Sequence, residues 1–578
     1  MALPPPCPFR ARHWWRGPAR RSSRAQCPRR PATGIMAAPR PGQERQRHMV
    51  DLAHLTLAGA SRAIAAGQLS SVELVEATLA RIEAYDARLD SHVTVMPESA
   101  LADARAADAE IAAGRRRGPL HGVTVALKDI YDTAGVLTAG GSKTRQDRVP
   151  AEDSETVRRL KAAGAVITGK LATHEFAHGG PSFDLPWPPA RNPWNTDHFS
   201  GGSSSGSGVA VAAGLCLGAL GTDTGGSIRG PAALSGVAGL MPSYGLVSRR
   251  GVIPNSFTFD HCGPLAWTSE DCALLLDALA GHDPEDPRSS TRPQQPAPPS
   301  MAGLRIGLLR HYWEEDLNCA PEMVAACEHM AEVFRSLGAT VETARMPPVQ
   351  DWYDVKITIA ESELFNVHRR DLQTRPRDFG QDFLSRALGA VCYTSQDYIA
   401  AHRRWRQLRR AMEPVYERFD VLIAPSATGP APRLDAHDTA NFWLYPSITT
   451  PFDVTGGPAL TITAGYSENG LPLGVQLSAA PFHDRVVLAA GQAFEEATEW
   501  RSRRPALEAG PPPEREAVSL PAPVLPPEGA LLDEVRMLAA AAGLPDDDYV
   551  LALIAEGAPH ARAMGRRLDR DYGYSDEI

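Results

Sequence analysis

The sequence is short of paired cysteine, of long apolar runs and of lysine, and each shortage excludes something. Its eight cysteines (Cys7, Cys27, Cys216, Cys262, Cys272, Cys319, Cys327 and Cys392) are scattered and form no C-x-x-C pair. That spacing argues against a disulfide framework or a zinc site, and fits a reducing, cytoplasmic compartment. No apolar run reaches the roughly 18–20 residues that a bilayer-spanning helix needs, so no membrane span is expected. Of 59 cationic residues, five are lysine (Lys128, Lys143, Lys161, Lys170 and Lys356) and the rest arginine. What remains is ordinary for a globular chain: 43% hydrophobic, 22% charged, and at 578 residues enough for one large or two modest domains.

Charge is unevenly placed. Residues 1–48 carry eleven arginines against one acid, Glu44, while the whole chain has a net charge of −9. The body is therefore acidic, which speaks against direct nucleic-acid binding. The proline-rich, basic leader has no apolar core of the kind found in a secretory signal. It reads as a disordered extension, or as sequence upstream of a start at Met36 or Met49. A transit-like or nucleic-acid-binding arm is the other reading.

Order is expected from about Met49. Ser70 and Glu73 form a capping box, and Val72, Val75, Leu79 and Ile82 recur at helical spacing. "GVTVALKD" (122–129) and "GAVITGK" (164–170) read as strands, the second after the helical "SETVRRLKAAG". Such alternation favours an α/β layered fold. The stretch 281–300, rich in Pro and polar residues, is the clearest internal break. Beyond it "LRIGLL", a helical stretch to Leu337 and "ATVETA" suggest a strand–helix–strand unit. Strand-like runs return at 419–425, 458–465 and 472–477. A proline-rich linker, 506–529, then precedes a small helical tail, 530–578.

Two glycine–serine runs, "GGSSSGSG" (201–208) and "GTDTGGSIRGP" (221–231), lie in apolar surroundings. Flexible linkers are polar on both flanks, so these glycines sit against packed structure. A phosphate loop of the GxxxxGK[ST] type needs a lysine, and neither run contains one. Nucleophilic catalysis is the third use. A serine hydroxyl needs a base to take its proton and preorganised N–H donors to hold the oxyanion it creates. Glycines let backbone amides approach a reacting carbonyl without a Cβ in the way. "DTGGS" offers successive amides at Thr224, Gly225, Gly226 and Ser227. No Gly-x-Ser-x-Gly elbow of the Ser–His–Asp hydrolase type is read around either run, and His121, His174 and His178 are read as structural. Lysine scarcity points to a different base. Arginine is effectively never deprotonated, whereas a buried lysine can be. Lys128 and Lys170, each ending an apolar strand, both qualify.

Together these residues resemble the amidase signature family. "GGSSSGSGVAVAAG" and "GTDTGGSIRGP" follow its signature almost position by position, and "LPWPPARNPW" and "TPFDVTGGPALTITAGYSENGLPLGVQL" extend the likeness from about residue 50 to about 505. The resemblance implies a large central mixed β-sheet covered by helices on both faces, spanning 49–505. It implies a Ser-cisSer-Lys triad of Ser227 as nucleophile, Ser203 as proton bridge and Lys128 as base, which decides between the two lysines. The oxyanion would rest on the amides of Thr224, Gly225 and Gly226, with Ser204, Asp223 and Arg229 as supports. No metal or organic cofactor is implied. The expected reaction is hydrolysis of a small amide through a Ser-linked acyl-enzyme. The alternative is the glutaminase subunit of a tRNA-dependent amidotransferase, whose nucleophile segment usually reads "SIRQPA" where this chain has "SIRGPA". A catalytically silent binding protein on the same fold is a further alternative, against which the intact triad speaks. Met241 stands where many members have lysine, and a packing role is expected there. Tyr131, Phe176, Phe183 and Trp187 flank the motifs as candidates for an acyl pocket. The tail is faintly similar to small helical subunits that accompany some amidases, and is otherwise read as a solvated appendage or the contact of a homodimer.

Overall fold

Short, continuously apolar runs bounded by glycine and proline make strands that are covered on both faces, and such runs build the centre of this molecule. In the computed structural model, residues 51–515 and 517–570 are described. The leader, 1–48, and the last eight residues of the tail lie outside them. The described residues belong to one compact unit.

Eleven strands form one sheet: β1 (His92–Val95), β2 (Thr124–Lys128), β3 (Val166–Leu171), β4 (Gly218–Asp223), β5 (Ala238–Met241), β6 (His261–Ala266), β7 (Arg305–Leu308), β8 (Thr340–Thr343), β9 (Val421–Pro425), β10 (Ala459–Tyr466) and β11 (Pro472–Ser478). Their order is β1-β3-β2-β4-β6-β5-β10-β11-β9-β7-β8. At one end β3, β2 and β4 run parallel, at the other β9, β7 and β8 do, and antiparallel pairs join them. The sheet is thus mixed. Every residue of β2, β3, β4, β6, β9 and β11 is buried, so helices cover both faces.

The capping box is present: Ser70 caps the helix Ser71–Tyr85, with the Glu73 side chain returning to the Ser70 amide. The strand–helix–strand unit also forms, as β7, the helix Pro321–Ser336 and β8. The break at 281–300 carries no helix or strand, yet β7 follows it into the same sheet. It is a surface connection between two parts of one core. A 26-residue helix, Val349–Thr374, leaves no clear period in the sequence, because from Val349 to Glu361 its residues are buried almost without interruption. Met241 is fully buried in a cluster with Phe259 and Trp352, the packing role expected for it.

The tail forms two helices, Ala530–Ala541 and Asp548–Leu568. Their apolar face is closed against the body rather than solvated. Leu551, Leu553 and Ile554 join the main core with Leu364, Phe383 and Leu388, and Arg567 grips Asp354 with two hydrogen bonds of 2.6 and 2.7 Å. Ile554 has no exposed surface, so Ile554→Ala should cost about 2–4 kcal/mol in urea unfolding. A cost below about 1 kcal/mol would show that the tail lies outside the cooperative unit.

Candidate active site

In parallel sheets, ligand crevices open at the carboxyl ends of the strands. Lys128 ends β2 and Asp223 ends the neighbouring β4, so both chemistry-bearing runs are delivered to that edge. The first, 201–208, passes from loop into the helix Ser205–Ala212. The second turns from β4 into the helix Arg229–Ser235.

Lys128 is fully buried. Its Nζ donates to Ser203 Oγ at 2.8 Å and to Thr222 Oγ1 at 2.9 Å, and it forms no ion pair with any described carboxylate. Burial pushes its pKa down to about 7, against the smaller opposing pull of Asp223 and Asp260. Lys170, one strand away, is buried just as deeply but sits 3.2 Å from Asp129 and donates to Thr138 Oγ1 at 2.6 Å. The two lysines that looked alike in sequence differ in one thing: Lys170 has a counter-ion.

The Gly202–Ser203 peptide is cis. Ser203 Oγ donates to the Ala177 carbonyl at 2.8 Å, and Asn255 Nδ2 donates to the same oxygen at 2.9 Å. Ala177 itself holds φ +60°, a left-handed conformation costly for a residue with a Cβ. Nothing in the sequence marked Ala177 or Asn255. The run Gly202–Gly206 does fit the Gly-x-Ser-x-Gly pattern, centred on Ser204, contrary to the sequence reading. Ser204 is nevertheless wholly buried, with Oγ bridging the backbone N–H and C=O of Thr222 at 3.2 Å each. It is no exposed elbow.

The second run is shaped by Asp223. Its carboxylate accepts from the amides of Gly226 (2.6 Å), Ile228 (3.0 Å) and Arg229 (3.3 Å) and from the Arg229 guanidinium at 3.0 Å twice. Arg229, also fully buried, reaches on to Asp453 (2.6 Å), the Thr449 carbonyl (2.7 Å) and Gln476 Oε1 (3.0 Å). Burial pushes Asp223 up, and the guanidinium and its hydrogen bonds more than offset this, holding the carboxyl below the usual range. Asp453 is pushed up by burial and by the neighbouring Asp223. The Gly226 amide is therefore already engaged. Among the described residues, the amides of Thr224, Gly225 and Ser227 have no protein acceptor, so the free donors are those three rather than the expected Thr224, Gly225 and Gly226. Thr224 Oγ1 is anchored on Asp260 at 2.7 Å.

Ser227 is half-buried and faces a cavity of about 490 Å³ lined also by His174, Phe199, Gly230, Tyr353, Lys356 and Phe442. None of the four aromatics singled out in sequence lines it. Tyr131 is buried, donating to the Gly221 carbonyl at 2.6 Å, and Phe176 packs on His368. His174 and His178 do line the cavity. Burial keeps His174 neutral, with a pKa of about 4, and His178 Nε2 lies 3.1 Å from Glu361. His121 lines a larger cleft of about 860 Å³ that holds neither glycine–serine run.

This geometry has counterparts among known proteins. A family model described as Amidase matches residues 73–488. The A-type subunit of the glutamyl-tRNA(Gln) amidotransferase of Chloroflexus aurantiacus is 38% identical over 488 residues, 79% of this chain and 100% of that one. The peptide amidase of Stenotrophomonas maltophilia superposes with a TM-score of 0.69 at 33% identity, covering 79% of this chain and 99% of that one. An inhibitor-bound structure, described as a vestigial protein complex that reveals the origins of an s-triazine catabolic enzyme, gives 0.72 at 35% identity over 76% and 98%.

Removing one partner of a buried ion cluster strands the others without water or counter-charge. Arg229→Met should therefore cost about 3–5 kcal/mol, read by chemical denaturation. A change under about 1 kcal/mol would show that the cluster does not hold the loop.

Proposed function

The chain belongs to the amidase family, hydrolases of carbon–nitrogen bonds in linear amides, and from that premise we propose that it hydrolyses a small amide through an acyl-enzyme on Ser227. The observation that carries the reading is a buried lysine with a pKa of about 7, in hydrogen-bond contact with Ser203, beside a cavity that reaches Ser227.

When Lys128 is neutral, its amine accepts the Ser203 proton across the 2.8 Å contact that it otherwise makes as a donor. Ser203 in turn takes the proton of Ser227 as Ser227 Oγ bonds to the amide carbon. The carbonyl π electrons move to oxygen, where the free amides of Thr224, Gly225 and Ser227 receive the charge. Collapse breaks the C–N bond, with the proton returned through Ser203 to the departing amine or ammonia. Water, activated along the same path, then releases the carboxylate and restores Ser227.

The 38% identity to the A-type amidotransferase component supports a second reading equally, as a glutamine-hydrolysing subunit with partner subunits. Gly230 favours the first. A Cβ there would meet nothing closer than the Gly202 carbonyl oxygen, at 3.6 Å. The missing side chain leaves open space at the cavity wall, where a substrate other than glutamine can sit. Ammonia release by the purified chain over aliphatic, aryl and amino-acid amides separates the two, and turnover confined to glutamine would overturn the first.

Ser227→Ala should abolish turnover, by at least about a thousandfold, and Lys128→Ala should cripple it at neutral pH. Full activity in either variant would sink the assignment. Because the base must be unprotonated, kcat/KM should rise with pH to a plateau, with its midpoint near the Lys128 value of about 7. A profile flat from pH 5 to 9 would remove Lys128 from the mechanism.

A further inference from the structure

One buried cation at this site has no part in the chemistry just described. Lys356 lies on the long helix Val349–Thr374, is 6% exposed, and lines the cavity. Its Cε and Nζ lie 3.2 and 3.5 Å from the point where a β-carbon on Gly225 would sit, which places the ammonium against the loop that carries the free amides. Among the described residues its ammonium makes no hydrogen bond and no ion pair.

Most carboxylates on that side of the molecule are already engaged. Glu361 faces His178 and also feels the Lys356 charge, without a hydrogen bond between them. Asp354 is gripped by Arg567. Asp382 takes Arg386, His437 and the Gly180 amide. Asp438 lies at the rim, where it accepts from the Ala440 amide at 2.9 Å. An ammonium withdrawn from water without a hydrogen-bond partner is costly, and this one lines the cavity that reaches Ser227. We propose that Lys356 anchors a carboxylate of the substrate close to the scissile carbonyl, so that the preferred substrates are small amides that carry an acid group. This rests on the amidase reading above and narrows it to a substrate class. Fixing the substrate by a charge-assisted contact beside the reacting carbonyl orients it for attack by Ser227.

The test compares amides of equal shape and different charge: malonamate against isovaleramide, and succinamate against 4-methylvaleramide. The wild-type chain should favour the acid-bearing member of each pair. In Lys356→Met the ratio of kcat/KM, acid-bearing over neutral, should fall roughly ten- to hundredfold, mainly through KM, and Lys356→Arg should keep most of it. A ratio that does not move in the methionine variant overturns the proposal, since a lysine that served the fold or the oxyanion would lower both members alike. Should that variant fail to fold, succinate must slow labelling of wild-type Ser227 by a fluorophosphonate probe, and absence of protection overturns it. An enzyme that is labelled and hydrolyses amides without preferring the acid-bearing ones defeats this inference alone. A chain neither labelled nor active defeats the amidase reading and this inference with it.

Discussion

A lysine at the end of a central strand, removed from water and given no counter-ion, is the constraint around which this site is built. Pushing Lys128 from the ordinary lysine value of about 10.4 to about 7 corresponds to something on the order of 5 kcal/mol against its charged form. Nothing local to β2 supplies that. It comes from burial among the surrounding strands, while the two hydroxyl partners, Ser203 and Thr222, offer contact without negative charge. Burial pushes Lys170 down as well, but there Asp129 pulls the other way and stabilises the ammonium.

The second organising element is a buried ion cluster. Arg229 ties Asp223, at the end of β4, to Asp453 and the Thr449 carbonyl, more than two hundred residues later. Asp223 spends its remaining lone pairs on the amides of the turn. The cluster thereby decides which amides of the glycine loop stay free. Gly226 is used to hold the loop, which leaves the amides of Thr224, Gly225 and Ser227 without a protein acceptor.

The cavity wall opposite this loop comes from later in the chain. The helix Val349–Thr374 contributes Tyr353 and Lys356, and the segment around Phe442 completes the side. The tail helices pack behind it: His560 stacks on Trp443, and Arg567 holds Asp354, two residues from Lys356. A tail that looks peripheral in sequence therefore supports a face of the site.

Local pattern was enough for much of the molecule. The capping box at Ser70, the apolar strands ending at Lys128 and near Leu171, and the strand–helix–strand unit from Arg305 to Thr343 follow from propensity and spacing, and all formed. The glycine–serine runs identified the region of the site because glycine beside serine in apolar surroundings has few other uses. What no local pattern contained was contact across the chain. Of the aromatics singled out as flanking the motifs, Tyr131 and Phe176 went into the core, while Phe199, Tyr353 and Phe442 came to the cavity. Ala177 and Asn255 became partners of the Ser203 environment with no residue type to announce it. By itself the sequence determined which residues are the candidates for the chemistry. Tertiary structure alone decided which lysine is left without an ion pair, which amides remain free and which cation lines the cavity, because charge stabilisation and desolvation depend on neighbours brought in from elsewhere in the chain.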